Sequence, residues 1–288
     1  MRCNPLGLST FVLASPFSDK DTGLFSYVRE IGFDVVEVCV EDPELLTAEA
    51  LIETARRAGL QISVCGAFGP ARDVSHDDPA QRSEGLRYLE RCIDLAAAVG
   101  SPHVAGPMYA ATGKTRLLTF EQREKQRAWA AEGLRRAADY AGERGIRLAI
   151  EPLNRFETDL VNTVDQGLDL CERIDRDNVG LLVDTFHMNI EEKKIGAALV
   201  SAGPKIFHVH VSENDRGTPG SGHMPWDDVF GALDKIGYEG SVVIESFLPT
   251  VDEIARAVSL WRPVAPSMDA LARDGYAFLR ARQAKQNR

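Results

Sequence analysis

The stretch that decides the fold of this chain is GIRLAIEP at residues 145–152, in which a short apolar run ends on Glu151. Three later apolar runs, at residues 179–183, 206–209 and 241–244, lead in the same way to Asp184, His210 and Glu245. In a parallel α/β barrel, the residues at the carboxyl ends of the strands face one shared mouth. One acidic strand end is more often a helix cap, but four such ends in register predict a site for a divalent metal ion.

The same alternation of short apolar runs and longer amphipathic segments extends along the whole chain. Such alternation predicts repeated βα units closing a parallel sheet. The expected strands lie at residues 6–10, 35–38, 62–67, 103–106, 147–150, 180–183, 207–209 and 242–244. The expected helices include residues 48–58, 82–99, 121–144, 164–174, 226–236 and 251–260. Because no linker or change in composition divides the 288 residues, we expect one α/β domain over 1–288: a single (β/α)8 TIM barrel with an additional C-terminal helix at 268–284.

Composition limits the possible classes of function. The net charge of −10 disfavours binding to a nucleic-acid backbone. No run of 18 apolar residues and no signal peptide is seen, so neither a membrane nor an export route is expected. The five cysteines (Cys3, Cys39, Cys65, Cys92, Cys171) are odd in number and widely spaced, which favours reduced thiols in a cytoplasmic protein.

Three further candidates lie in the loops beside the proposed ligands. Glu157 follows Glu151 in a polar loop and is placed to fold back over the metal. His187 lies three residues after Asp184, and Arg216 follows His210 in a glycine-rich loop. In the segment His208-Val209-His210, both imidazoles share one strand face, so we expect His210 in the mouth and His208 in the layer below. If Asp184 were not nearby, His187 would be interpreted as a structural histidine. If its loop did not begin beside His210, Arg216 would be interpreted as a solvent-exposed loop charge.

The positions of Glu151 and Glu245 also suit a role in proton transfer. The fifth and eighth strands lie on two sides of an eight-stranded mouth, so one glutamate is placed to remove a proton from a substrate and the other to return one. A divalent metal that binds a ketone oxygen and an adjacent hydroxyl would stabilise the enediolate between these steps. This arrangement suits inversion or movement of a hydrogen beside a carbonyl group.

The motifs EPLNRFET at 151–158, DTFHMNIEE at 184–192, HVSENDRG at 210–217 and VIESF at 243–247 resemble those of the ketose 3-epimerases, within the xylose isomerase-like TIM barrels. The resemblance implies epimerisation of a free ketose at C3 through a cis-enediolate, of the D-allulose/D-fructose, D-tagatose/D-sorbose or L-ribulose type. It implies Mn²⁺, or else Mg²⁺ or Co²⁺, held by Glu151, Asp184, His210 and Glu245, with the two glutamates as the acid/base pair.

The same resemblance assigns substrate roles. Glu157, His187 and Arg216 would bind the first three carbons of the ketose. Apolar side chains would hold its far end, with Phe11, Phe68, Met108 and Phe247 as the candidates. A homodimer or homotetramer is also implied.

Competing interpretations are open at this point. A related barrel with a similar metal site would act as a 3-keto-glycoside lyase of the C-glycoside deglycosidase type, or as another sugar isomerase. An endonuclease of the same superfamily would need more metal ligands in the first half, which offers His76, His103 and scattered acids. A sugar-binding barrel without catalysis would bind a ketose but exchange no proton.

Overall fold

The structure is a computed structural model that describes residues 4–248 and 251–286. Its eight strands pair in parallel, in chain order, and the last pairs with the first to close one barrel. The predicted (β/α)8 barrel is therefore confirmed. The strands are β1 (Leu6–Ser9), β2 (Val35–Val40), β3 (Gln61–Gly66), β4 (His103–Gly106), β5 (Arg147–Ile150), β6 (Val179–Asp184), β7 (Ile206–Val211) and β8 (Val242–Ile244). Cys3 lies outside the described residues.

Ten α-helices are found in the part of the chain that the structure describes. They are α1 (Leu24–Ile31), α2 (Ala48–Ala58), α3 (Pro79–Val99), α4 (Phe120–Gly142), α5 (Val164–Ile174), α6 (Thr185–Glu191), α7 (Ile195–Ala202), α8 (Trp226–Ile236), α9 (Asp252–Ala257) and α10 (Met268–Gln286). The predicted C-terminal helix is α10, which packs on α1 and β1. The sequence prediction missed α1, α6 and α7, which have seven or eight residues each and too few turns for a clear apolar periodicity.

Local signals in the sequence explain where the long helices begin and end. Thr47 and Thr163 cap α2 and α5 by accepting hydrogen bonds from backbone N–H groups in the first turn. Gly59 and Gly100 end α2 and α3 with φ angles of 70° and 74°, a left-handed conformation that glycine adopts without a steric cost. These stops set the short connections that bring each helix back to the next strand.

Strand bounds differ from the predictions by a few residues. Strand β1 ends at Ser9, because Thr10 begins a 3-10 turn in which the Phe11 N–H donates to the Ser9 hydroxyl. Between β6 and β7 the register shifts: Leu181 pairs with Ile206 but Leu182 pairs with His208. One residue of β7 is thus skipped, which is the signature of a β-bulge.

Two layers of side chains fill the molecule. An apolar layer lies between the strands and the surrounding helices. Inside the barrel, the inward positions carry a mixture of small apolar and polar groups, including the buried Ser63, His103 and His208. Hydrogen-bonding groups therefore lie inside the barrel, below the mouth.

Among the described residues, no helix combines the length and the apolar character that a bilayer-spanning segment requires.

Candidate active site

The four proposed metal ligands meet at the carboxyl end of the barrel. Glu151 directly follows β5, Asp184 ends β6, His210 is the fifth residue of β7, and Glu245 directly follows β8. One ligand atom from each lies within 4.8 Å of all the others. All four side chains are buried, with at most 4% of any residue exposed. The barrel thus brings together residues that are separated by up to 94 positions in sequence (245 − 151).

Two atoms of this cluster have no hydrogen-bond partner among the described residues: Glu151 Oε1 and His210 Nδ1. Buried polar atoms without a partner are rare in proteins and usually mark a site for an ion, a water or a ligand. His210 Nε2 is occupied, since it lies 2.6 Å from Glu37 Oε1, so Nδ1 is the atom left to face the carboxylates. Three carboxylates and one imidazole nitrogen therefore fit a divalent ion that takes oxygen and nitrogen ligands.

Arg216 lies inside the same cluster. Its guanidinium donates hydrogen bonds to Asp184 and, over 3.0 Å, to Glu245 Oε2. The planar group stacks 4.3 Å from the Phe186 ring centroid and has Phe247 on another side. Its backbone has a φ of 67°, an uncommon conformation for a residue with a side chain. The loop therefore holds the positive charge of Arg216 against two of the four proposed ligands.

His187 and Glu157 lie on either side of Asn154. The Asn154 backbone N–H donates to His187 Nδ1 over 3.0 Å, and the Asn154 side chain donates to Glu157 Oε1 over 2.8 Å. Burial, followed by the charge of Arg216, lowers the pKa of His187 to about 3, so this imidazole is neutral at pH 7. Burial raises the pKa of Glu157 to about 7, against the opposing effect of Arg216.

The two glutamates of the cluster have pKa values that move in opposite directions. Burial and then the charge of Glu245 raise the pKa of Glu151 well above its usual value. For Glu245, burial is outweighed by His210 and Arg216, which lower the pKa. Two carboxyl groups whose pKa values differ in this way can supply one proton donor and one proton acceptor at the same pH.

A cavity of about 780 Å³, including the space at its open mouth, lies over the cluster. Of the predicted far-end contacts, Phe11, Phe68 and Phe247 line it. Met108 does not appear in its lining and is fully buried, so that assignment is wrong. Met108 lies two residues beyond β4, its N–H donates to the Gly106 carbonyl, and its side chain belongs to the apolar core.

The sequence analysis missed three residues of the site. Cys65 lines the cavity near the carboxyl end of β3. Asn154 donates hydrogen bonds to His187 and Glu157, and Glu37 contacts His210. Glu37 carried a usable signal, because it is a charged residue inside the apolar run Val35–Val40. A charged side chain in an otherwise buried strand is expected to have a charged or hydrogen-bonding partner inside the protein.

Comparison with known proteins agrees with this geometry. Residues 25–281 match the family described as xylose isomerase-like TIM barrel. The chain is 35% identical over 274 residues to a probable ketose 3-epimerase of Synechocystis sp., covering 95% of each protein. It is 34% identical over 254 residues to a ketose 3-epimerase of Arthrobacter globiformis, covering 88% of this chain and 87% of that one.

Solved structures show the same likeness. The crystal structure of D-allulose 3-epimerase from Methylomonas sp. superposes with a TM-score of 0.91 at 28% identity, covering 98% of this chain and 99% of that one. Fold, length and sequence thus point to one group of proteins. The chain belongs to the xylose isomerase-like TIM-barrel family and, within it, to the ketose 3-epimerases.

Proposed function

We propose that this protein is a metal-dependent enzyme that inverts C3 of a free ketose, of the D-allulose/D-fructose, D-tagatose/D-sorbose or L-ribulose type. The observation that carries the proposal is the cluster of four ligand atoms within 4.8 Å, two of them on glutamates at the ends of β5 and β8. The epimerases named above favour this reaction over the 3-keto-glycoside lyase.

The proposed metal ligands are Glu151, Asp184, His210 and Glu245. Mn²⁺ is the proposed ion, with Mg²⁺ and Co²⁺ as substitutes, because the donor set has three hard oxygens and one nitrogen. When bound, such an ion supplies a Lewis acid that stabilises negative charge on substrate oxygens.

Glu245 and Glu151 are the proposed proton carriers. In one direction, the ionised Glu245 takes the proton from C3, and the protonated Glu151 delivers its proton to C3 from the other side. The substrate passes through a cis-enediolate between these steps. Both carboxyl groups then exchange protons with solvent, which restores their starting states, and the reverse reaction exchanges their roles. No redox cofactor is consumed, since no electron leaves the substrate.

Glu157, His187 and Arg216 are the proposed contacts to the first three carbons of the ketose, because all three line the cavity next to the cluster. Arg216 is the only Lys or Arg among the described residues of that lining, and Asp184 and Glu245 already engage it. This lining therefore offers a substrate phosphate group no Lys or Arg that is not already paired, which supports an unphosphorylated substrate. Phe11, Phe68 and Phe247 would contact its far end.

Proton exchange in heavy water tests the reaction. The Mn²⁺-loaded protein is incubated in D₂O with D-allulose, D-tagatose or L-ribulose, and NMR follows deuterium at C3. Exchange at C3 together with the C3 epimer is the expected result. Absence of exchange with every ketose, in a folded and metal-loaded protein, would refute the proposal.

The two-glutamate mechanism predicts the effect of single substitutions. Glu151→Gln and Glu245→Gln each remove one proton carrier and should lower the exchange rate by about 10²- to 10⁴-fold. Glu143→Gln is the matched control, because Glu143 has an exposed side chain at the end of α4 and should leave the rate unchanged. Circular dichroism checks the fold, and full turnover in either site variant would contradict the mechanism.

We further propose that residues 1–288 form one domain, that the protein is a cytoplasmic homodimer or homotetramer, and that it binds a small ketose rather than a nucleic acid or a membrane. Three large apolar side chains near the mouth, Leu117, Phe120 and Phe156, are 66–100% exposed and support an interface between copies. Sedimentation analysis distinguishes a monomer of 31.6 kDa from either oligomer.

A further inference from the structure

Glu37 is a fully buried carboxylate in the middle of β2 and points into the barrel beneath the mouth. Its Oε1 lies 2.6 Å from His210 Nε2, and its Oε2 lies 2.6 Å from His208 Nε2. The Ser63 hydroxyl donates a third hydrogen bond to Oε2 over 2.9 Å. One carboxylate thus joins both histidines of β7 to β2 across the interior of the barrel.

The number of protons available in this buried network determines which side chains donate its hydrogen bonds. Glu37 in its ionised form can only accept, so both imidazoles donate from Nε2. The single proton of the Ser63 hydroxyl goes to Glu37, so Ser63 Oγ accepts from His103 Nε2, which lies 3.0 Å away. In a neutral imidazole that donates from Nε2, Nδ1 carries the lone pair. Because Glu37 engages Nε2 of His210, Nδ1 is the ring nitrogen left to bind a metal ion.

His210 Nδ1 faces the proposed metal cluster. It has no hydrogen-bond partner among the described residues and lies 3.5 Å from Glu245 Oε2. The orientation that Glu37 imposes on His210 is thus the one that a metal ion needs.

We propose that Glu37 is a positioning residue for the metal centre: it holds the ring and the tautomer of His210 so that Nδ1 is a ligand. This inference rests on the metal site of the proposed function. Carboxylates that accept the second N–H of a metal-bound histidine orient the ring and make it a stronger ligand. Glu37 is not part of the cavity lining, so its effect belongs to metal binding and not to substrate contact.

Metal affinity tests the inference. Glu37→Gln keeps the size of the side chain but removes its charge and one acceptor oxygen, and should raise the Kd for Mn²⁺ by roughly 10- to 100-fold. The matched control is His208→Gln, which disturbs the same buried group at the other oxygen and leaves the contact between Glu37 and His210. Free Mn²⁺ is measured by electron paramagnetic resonance, and unfolding midpoints in EDTA show how much stability each variant loses.

The inference is supported if Glu37→Gln weakens Mn²⁺ binding while His208→Gln, with a similar loss of stability, binds Mn²⁺ like the wild type. It is overturned if both variants bind Mn²⁺ equally. If Glu37→Gln does not fold, Glu37→Asp replaces it: the shorter carboxylate cannot reach both histidines, and a wild-type Kd would overturn the inference. Failure of the wild type to bind Mn²⁺ would instead overturn the proposed metal site, and with it this role.

Discussion

Glu157 is a buried carboxyl group whose hydrogen-bond donor is the neutral side chain of Asn154. Its pKa is about 7, against an ordinary value of 4.5, because burial disfavours the charged form. The folded protein therefore binds more protons here than the unfolded chain does between these two values. The contribution of Glu157 to stability is full below about pH 4.5 and is lost as the pH rises to about 7.

Glu157→Gln should remove this loss, because an amide of the same shape has no charge to bury. Relative to the wild type, the metal-free variant should gain up to about 3 kcal/mol of unfolding free energy between pH 4.5 and pH 7. Urea unfolding in EDTA at pH 5 and pH 8 measures the difference between the two proteins. A difference that does not change with pH would show that Glu157 is ionised throughout.

At the scale of elements, the bulge between β6 and β7 determines where the histidines point. Gly180 lies one residue before the shift, and a Cβ there would clash with the Lys205 carbonyl and come within 2.7 Å of the Phe207 ring. Beyond the shift, His208 and His210 share one strand face and both contact Glu37 inside the barrel. The absence of a side chain at Gly180 therefore allows β7 to approach β6 closely at this point.

Gly180→Ala should lower the unfolding free energy by about 1–3 kcal/mol, since the added methyl group meets backbone that cannot easily move. Displacement of β7 should also raise the Kd for Mn²⁺. Gly231→Ala is the control: Gly231 is in α8, and a Cβ added there would have no neighbour within 4 Å, so the change should stabilise by up to about 1 kcal/mol. Equal stabilities of the two variants in urea would contradict this account.

The loop that carries Arg216 is organised around Glu213, which is fully buried. Its carboxylate accepts hydrogen bonds from the backbone of Gly220 over 2.9 Å and of Met224 over 3.1 Å, and from Trp226 Nε1 over 2.7 Å. Burial acts against the charge, but these donors lower the pKa of Glu213. The loop therefore has an anionic centre that holds its backbone in one conformation.

Glu213→Gln should destabilise this loop, because the amide nitrogen would face N–H donors and leave some of them without an acceptor. The expected loss is about 1–3 kcal/mol in urea unfolding. We also expect a higher KM for the ketose, since the turn that presents Arg216 is part of the loop: the Arg216 N–H bonds to the Glu213 carbonyl. Unchanged KM and stability would show that the loop is held without this charge.

At the scale of the whole molecule, the proposed metal joins four neighbouring strands, from β5 to β8. Without it, the carboxylates of Glu151, Asp184 and Glu245 lie close together and Arg216 is the cation that contacts two of them. A ligand that binds only the folded state stabilises it by mass action, by about 2.7 kcal/mol at 100 times Kd. The barrel should therefore be measurably less stable without metal.

Removal of metal with EDTA should lower the thermal unfolding midpoint by several degrees, and added Mn²⁺ should restore it. Asp184→Asn keeps the shape of one ligand but removes its charge, and should abolish most of the shift. Calorimetry with and without Mn²⁺ measures both proteins. A wild-type midpoint that does not respond to Mn²⁺ would contradict the proposed site.

The amino-acid sequence by itself determined the barrel and the position of its mouth. Each strand is a short apolar run, each long helix has its own start and stop signals, and parallel strands place their carboxyl ends on one side. That is why Glu151 and Asp184 could be assigned to one mouth, together with His210 and Glu245, before any distance was known. Apolar periodicity, glycine positions and helix caps are local properties, so the amino-acid sequence alone is enough to identify them.

Tertiary structure alone decided which other groups complete the site. Glu37 contacts His210 from 173 residues away, and Asn154 lies between Glu157 and His187. Met108, in contrast, has the right chemistry for the cavity but is buried in the apolar core. Such contacts depend on barrel closure, on the bulge in β7 and on loop conformation, which are set by packing between distant segments and leave no period or spacing in the sequence.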